Sequence, residues 1–89
     1  MLTVYTKNNC PYCQTAKAYL KTCGVMFEEI NIEQDTEARE FLIAEGHRTM
    51  PQIYYKGKLF VSGGAQNLAK LDEDTIKSQM KMMDNPIQL

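Results

Sequence analysis

The chain has 89 residues, 44 % of them hydrophobic and 24 % charged, with a formal net charge of -1 and three cysteines. That length is expected to form a single domain over residues 1–89 with one modest core, and the balanced charge argues against nucleic acid as a partner. The opening MLTVYTKNN carries no basic segment, long apolar run or small-residue cleavage site, so no secretory signal and no membrane span are expected, and the expected compartment is the cytoplasm.

In chain order, Leu2 to Thr6 is β-branched or apolar and reads as a short strand that ends at the polar turn Lys7-Asn8-Asn9. Pro11 suits the first position of a helix, where its missing N–H costs nothing. Cys13, Ala16, Leu20 and Cys23 then recur at helical spacing along one face, and Gly24 supplies the stop. Val25 to Ile32 reads as a second strand, after which Asp35 caps a helix whose Ala38, Phe41 and Leu42 share a face up to Gly46. Pro51 to Tyr55 and Lys58 to Ser62 form a hairpin joined by Lys56-Gly57, in which the glycine takes positive φ. Gln66 to Leu71 and Asp74 to Met83 read as helices, the second with Ile76, Met80 and Met83 facing the core. Asp84 to Leu89 contains Pro86 and is expected to fray. A parallel β-α-β unit crosses over right-handedly, and the closing hairpin adds antiparallel strands to the same sheet. The expected architecture is α/β, in the order β-α-β-α-β-β-α, with a four-stranded mixed sheet flanked by helices.

The stretch TKNNCPYCQTAK places two cysteines at C-x-x-C spacing. If Pro11 is the first helical residue, Cys10 is the N-cap, where the free N–H groups of Tyr12 and Cys13 and the positive end of the helix dipole favour thiolate over thiol. A thiol at the reference pKa of about 8.5 is only a few per cent ionised at neutral pH, whereas helix N-termini and C-x-x-C motifs lower it to roughly 3.5–7.5. Lys7, three residues earlier, adds a positive charge that can approach the same sulfur. Cys10 is therefore expected to be the nucleophile. Cys13 lies one turn inside on the core-facing stripe, within reach of a disulfide, and is expected to be the resolving thiol.

Two blander readings compete with this one. A structural zinc site wants four ligands, and beyond the motif the chain offers only Cys23 and His47. Cys23 falls about 20 Å along the same helix from Cys10 and cannot share a metal with it, so no metal site is expected. A permanent disulfide closing a four-residue loop would constrain the unfolded chain very little, and three cysteines fit a reducing compartment in which disulfides are transient. Cys23 reads as a small core residue, and His47, beside the Gly46 stop, as a polar loop residue.

Three segments, VYTKNNCPYC (4–13), GHRTMPQIYYKG (46–57) and SGGAQNLAKL (62–71), together resemble the glutaredoxin family, in its dithiol Cys-Pro-Tyr-Cys form. The resemblance runs from Leu2 to about Leu71, with Met50 where the family's Thr-Val-Pro segment has valine. It implies the thioredoxin fold. It also implies a glutathione-dependent thiol-disulfide oxidoreductase in which Cys10 attacks a protein disulfide or a glutathione mixed disulfide and Cys13, or a second glutathione, resolves the product. Glutathione would be a co-substrate, with no bound cofactor. Disulfide-containing or glutathionylated proteins would be the partners, ribonucleotide reductase among them, and the protein would work as a monomer. Glutaredoxin potentials of about −200 to −230 mV let the glutathione pool keep them largely reduced.

The resemblance also carries contacts over by position. Lys7 and Tyr12 would flank the glutathione beside Cys10, Thr49-Met50-Pro51 would present the Met50 backbone through a cis Met50-Pro51 bond, and Gly63, Gly64, Ala65 and Gln66 would lie under the γ-glutamyl end. Arg48 is a further candidate for a glutathione carboxylate. The family commonly places an acidic residue just after the glycine pair, for the γ-glutamyl amino group, whereas Ala65, Gln66 and Asn67 are neutral. Losing a charge-assisted bond there weakens glutathione binding by about 1–3 kcal/mol. The neutral residues keep open a thioredoxin-like redoxin that serves ribonucleotide reductase and draws electrons from thioredoxin reductase. An iron-sulfur cluster carrier using Cys10 and external glutathione is a reading of another class, disfavoured by the stiff Pro11 after Cys10.

Overall fold

The computed structural model describes residues 1–84. Its elements are β1 (Leu2–Thr6), α1 (Pro11–Thr22), β2 (Phe27–Asn31), α2 (Thr36–Ala44), β3 (Gln52–Tyr55), β4 (Lys58–Val61), α3 (Gly64–Leu68) and α4 (Glu73–Asp84). The sheet order is β2-β1-β3-β4; β1 runs parallel to β2, with Val4 opposite Glu29, and antiparallel to β3, with Val4 opposite Ile53. The mixed four-stranded α/β sheet read from the sequence is the one observed.

Alternation along β1 assigns the two faces. Leu2 and Val4 join Ala16 and Leu20 of α1, Ile53 of β3, Phe60 of β4, Leu68 of α3 and Ile76 of α4 in one buried cluster. Each such aliphatic side chain contributes about 1.5–3 kcal/mol by leaving water. Thr6 ends the row and buries its hydroxyl, which donates to Glu29 at 2.8 Å. That bond and then the Lys17 ammonium hold the Glu29 carboxyl below its ordinary range. The other face is aromatic: Tyr5 packs on Phe41 of α2 and edge-on to Tyr54, with ring centroids at 6.2 and 5.5 Å. The buried Tyr54 hydroxyl lies 2.7 Å from His47 Nε2 and donates to Glu45 at 3.2 Å. Burial and the Glu45 carboxylate push the Tyr54 phenol up to about 12.

Several boundaries differ from the sequence reading. β2 begins at Phe27 because Val25 turns into the core and its N–H donates to the Leu20 carbonyl, closing the end of α1. α3 begins at Gly64 rather than Gln66 and ends at Leu68. The hairpin turn needs positive φ at Lys56 (51°) as well as at Gly57 (79°), the pairing that matches strand twist in a two-residue loop. Met80 and Met83 pack against the core, as their spacing predicts. Asp84, expected in the frayed tail, is the last residue of α4 and accepts from the Tyr55 hydroxyl at 2.8 Å while pairing with Lys56. The rest of that tail, 85–89, lies outside the described residues.

Candidate active site

Three segments converge at one end of the sheet: the turn after β1, the loop before β3, and the turn between β4 and α3. The first is held by the β2-α2 loop, since Asn8 N–H donates to Glu33 at 2.6 Å and Asn31 donates to the Asn8 side chain at 2.9 Å. Asn9 then takes φ 54° and delivers the chain into α1. Cys10 caps the helix with φ −121° and ψ 95°, and Pro11 occupies the first turn as expected.

The Cys10 Sγ accepts the backbone N–H of Cys13 at 3.2 Å. The sequence reading gave it the Tyr12 N–H as well; the observed acceptor geometry is that of an N-cap bonding the third helical residue alone. Cys10 and Cys13 form a disulfide across a Cα separation of 5.2 Å, joining the N-cap to the first turn of α1. Cys10 is 7 % exposed and Cys13 fully buried, which fits an outer sulfur that meets the partner and an inner one that follows. The Met50 carbonyl oxygen stands 3.7 Å from the same Sγ. The closer N–H and the dipole of a 12-residue helix outweigh that single more distant carbonyl in their effect on a developing thiolate.

The loop before β3 carries Thr49, Met50 and Pro51, and the Met50-Pro51 bond is cis. The buried Gln52 side chain donates to the Thr49 carbonyl at 2.8 Å and fixes this loop to β3. The third segment closes against it. A Cβ on Gly64, whose φ is +69°, would meet the Pro51 carbonyl at 3.2 Å, and one on Gly63, φ +90°, would overlap the Asn67 side-chain amide. That amide donates to the Ser62 carbonyl at 2.7 Å and locks the turn.

Between these segments lies an open groove of about 220 Å³ that approaches Cys10 through Met50. Tyr12, Thr49, Met50 and Pro51 form one side and Gly63, Gly64, Ala65 and Gln66 the other. Every residue assigned to glutathione from the sequence is there except Lys7 and Arg48, and no acidic side chain lines it. Lys7 and Arg48 face a second groove, which meets the first at Met50. Among the described residues no cluster of three His, Cys, Asp or Glu is placed to hold a metal, and no helix is long and apolar enough to cross a membrane. Cys23 caps the far end of α1, half-buried against the core.

The sequence reading missed Gln52 and Asn67, which brace the two walls, and Arg39 in the second groove. No spacing rule marks them; each acts through a partner brought close only by the fold.

The glutaredoxin family model matches residues 2–60. The chain belongs to the glutaredoxin family. It is 41 % identical over 70 residues to glutaredoxin 3 of Escherichia coli strain K12, spanning 78 % of this chain and 82 % of that protein. It is 39 % identical over 71 residues to the glutaredoxin-like protein NrdH of Lactococcus lactis subsp. lactis, spanning 80 % and 99 %. Among solved structures, the NrdH-redoxin of Escherichia coli, described as glutaredoxin-like with a thioredoxin-like activity profile, superposes with a TM-score of 0.65 at 30 % identity over 86 % of this chain and 91 % of that one. The fold is thus the thioredoxin fold of glutaredoxins, and family membership makes the Cys10/Cys13 pair that of a thiol-disulfide oxidoreductase.

Proposed function

We propose that this glutaredoxin reduces protein disulfides and glutathione mixed disulfides with glutathione as electron donor, through Cys10 as nucleophile and Cys13 as resolving thiol. The observation that carries the reading is the groove between the Thr49-Met50-Pro51 loop and the Gly63-Gly64 turn, whose Met50 carbonyl oxygen is 3.7 Å from the Cys10 Sγ. In the forward half-cycle the Cys10 thiolate attacks one sulfur of the substrate disulfide, forming a mixed disulfide and releasing the other sulfur as thiolate. Cys13 then attacks the Cys10 sulfur, which gives the Cys10-Cys13 disulfide and frees the second substrate thiol. Two glutathione thiols return the pair to the reduced form, the first by joining Cys10 and the second by leaving with it as glutathione disulfide. In the groove the backbone of Met50 would meet the cysteinyl unit, Tyr12 would flank it with Lys7 reaching from the adjoining groove, and Gly64, Ala65 and Gln66 would underlie the γ-glutamyl end. Such a cycle suits a monomer in the reducing cytoplasm, with ribonucleotide reductase as one protein substrate.

A second reading has its own support. The groove lacks a carboxylate for the γ-glutamyl amino group, and the neutral Asn67 that follows Gln66 donates its amide to the Ser62 carbonyl. The resulting loss of about 1–3 kcal/mol weakens glutathione roughly 5- to 150-fold. Two NrdH-type relatives, one described with a thioredoxin-like activity profile, point the same way, to a redoxin reduced by thioredoxin reductase. Following NADPH oxidation by the oxidised protein separates the two, with glutathione plus glutathione reductase in one cuvette and thioredoxin reductase in the other. Fast turnover in the first is expected; turnover in the second alone assigns the protein to the thioredoxin-like branch.

A further inference from the structure

We propose that Glu33, on the loop after β2, is a positioning residue for the nucleophile: its carboxylate clasps the turn after β1 and holds Cys10 at the N-cap of α1 when the Cys10-Cys13 bond is open. The inference rests on the oxidoreductase reading above.

The clasp joins two segments far apart in the chain. Glu33 accepts the Asn8 backbone N–H at 2.6 Å, and the Asn8 side chain in turn accepts from Asn31 at 2.9 Å. Asn31 closes the circuit, since its side-chain oxygen accepts the Glu33 N–H at 2.9 Å and its carbonyl the Gln34 N–H at 3.0 Å. The Ile32 N–H donates to the Thr6 carbonyl at 2.9 Å and anchors the same loop to the end of β1. Water readily replaces a lone exposed hydrogen bond. The bond from Asn8 to Glu33 is charge-assisted, and each of its residues makes a further bond within the circuit, so together they fix one conformation of the turn.

Position ties the clasp to the chemistry. Between Asn8 and Cys10 lies Asn9, whose φ of 54° is an uncommon, left-handed conformation for a residue other than glycine. From there Cys10 enters at φ −121° and ψ 95°, which aims its Sγ at the Cys13 N–H. In the disulfide form a covalent bond keeps that geometry. In the reduced form it rests on the hydrogen bond from Cys13 and on the turn alone. Loss of the clasp therefore weakens the N-cap bond and the thiolate it stabilises, and acts on the reduced state more than on the oxidised one.

Two measurements on the full-length protein test this. Iodoacetamide labelling of Cys10 in the reduced protein is followed across pH by peptide mapping. The protein is also equilibrated with glutathione buffers, in which the Cys10-Cys13 disulfide and two glutathione thiols exchange for two protein thiols and glutathione disulfide. In Glu33→Ala, at an exposed position, labelling near about pH 6 is expected to slow about fivefold, the factor that one hydrogen bond supplies. The midpoint of the pH profile should move up and the rates converge at high pH. At neutral pH the ratio of oxidised to reduced protein is expected to rise by about the same factor. Glu33→Gln keeps an acceptor oxygen and is expected to stay within about twofold of the native protein. Tyr55→Phe, which loses a 2.8 Å bond to Asp84 beside the hairpin turn, controls for stability and is expected to alter neither readout. Removing a nearby negative charge favours thiolate, so faster labelling in both Glu33 variants would give Glu33 a charge effect and overturn the positioning role. Native values in Glu33→Ala, or a shift of equal size in Tyr55→Phe, would overturn it too. The exchange equilibrium needs no glutathione groove, so these outcomes leave the glutathione reading intact. Native Cys10 labelled no faster than Cys23 would instead remove the nucleophile and the clasp together.

Discussion

Helix α1 carries a cysteine at each end, and the two meet opposite surroundings. At the N-terminus Cys10 Sγ accepts a free backbone N–H at 3.2 Å and sits where the groove and the Thr49–Pro51 loop converge. At the C-terminus the Cys23 backbone N–H donates to the Tyr19 carbonyl at 3.0 Å, and its side chain lies beside the Tyr19 phenol, whose pKa that neighbour and then burial raise above its ordinary range. Unsatisfied N–H groups and positive potential belong to one end of a helix only. The proposed roles, a nucleophile at one end and a packing group at the other, follow from which end the side chain occupies.

The largest effect that could break this comparison is loss of the sulfur itself. Cys10→Ser is expected to abolish reduction of every disulfide substrate, measured by coupled NADPH oxidation, because an alkoxide does not replace a thiolate at neutral pH. Residual turnover would move the nucleophile elsewhere. Cys13→Ser is expected to abolish reduction of protein disulfides that need the second thiol while leaving deglutathionylation, in which glutathione resolves the intermediate. Equal loss of both activities would refute the division of roles.

A less disruptive probe compares the two ends directly. In the reduced protein at neutral pH, iodoacetamide is expected to label Cys10 at least about tenfold faster than Cys23, because a thiol at a helix N-terminus is substantially ionised where an unassisted one is only a few per cent so. Peptide mapping after short exposure reads the ratio, and equal labelling would remove the helix-end explanation.

Two glycines sharpen the contrast further, since Gly64 and Gly24 both take φ +69°. Alanine at either is expected to cost about 1–2 kcal/mol for the left-handed backbone, read by thermal unfolding. The neighbours differ: at Gly64 the new Cβ meets the Pro51 carbonyl at 3.2 Å, whereas at Gly24 it meets a movable Glu73 carboxylate at 3.4 Å. Gly64→Ala should therefore also lower turnover several-fold, and Gly24→Ala should leave it unaltered. A matched loss in both would mean that strain alone accounts for the effect.

Much of this architecture was readable before any coordinates, for reasons that particular residues make plain. Cys10, Pro11 and Cys13 are consecutive in one turn, so local spacing alone places them at the helix start. Leu20, Ile53 and Ile76 follow the periods of their elements and fall in the core. Thr49, Pro51 and Gly64 were legible through family resemblance, because nothing local brings a loop at 49–51 against a turn at 63–64. What stayed hidden is set by contacts distant in sequence or by side-chain direction. Tyr54 reaches back to Glu45 and His47, Tyr55 across to Asp84, and Lys7 lines the second groove rather than the first. Asn67 reads as a helix residue until the φ of Gly63 shows why its amide must close the turn.

The smallest expected effect is the one that completes the comparison. Cys23→Ala removes a half-buried sulfur packed against the core but leaves the Tyr19 hydroxyl its bond to the Leu71 carbonyl. Stability should fall by no more than about 1.5 kcal/mol, the range for a small side-chain truncation. Turnover with a protein disulfide should be unchanged, since Cys23 lies at the opposite end of α1 from the groove. A variant that folds normally but loses turnover would show that the far end of α1 takes part in the redox cycle, and the helix-end argument would then need a second thiol in its mechanism.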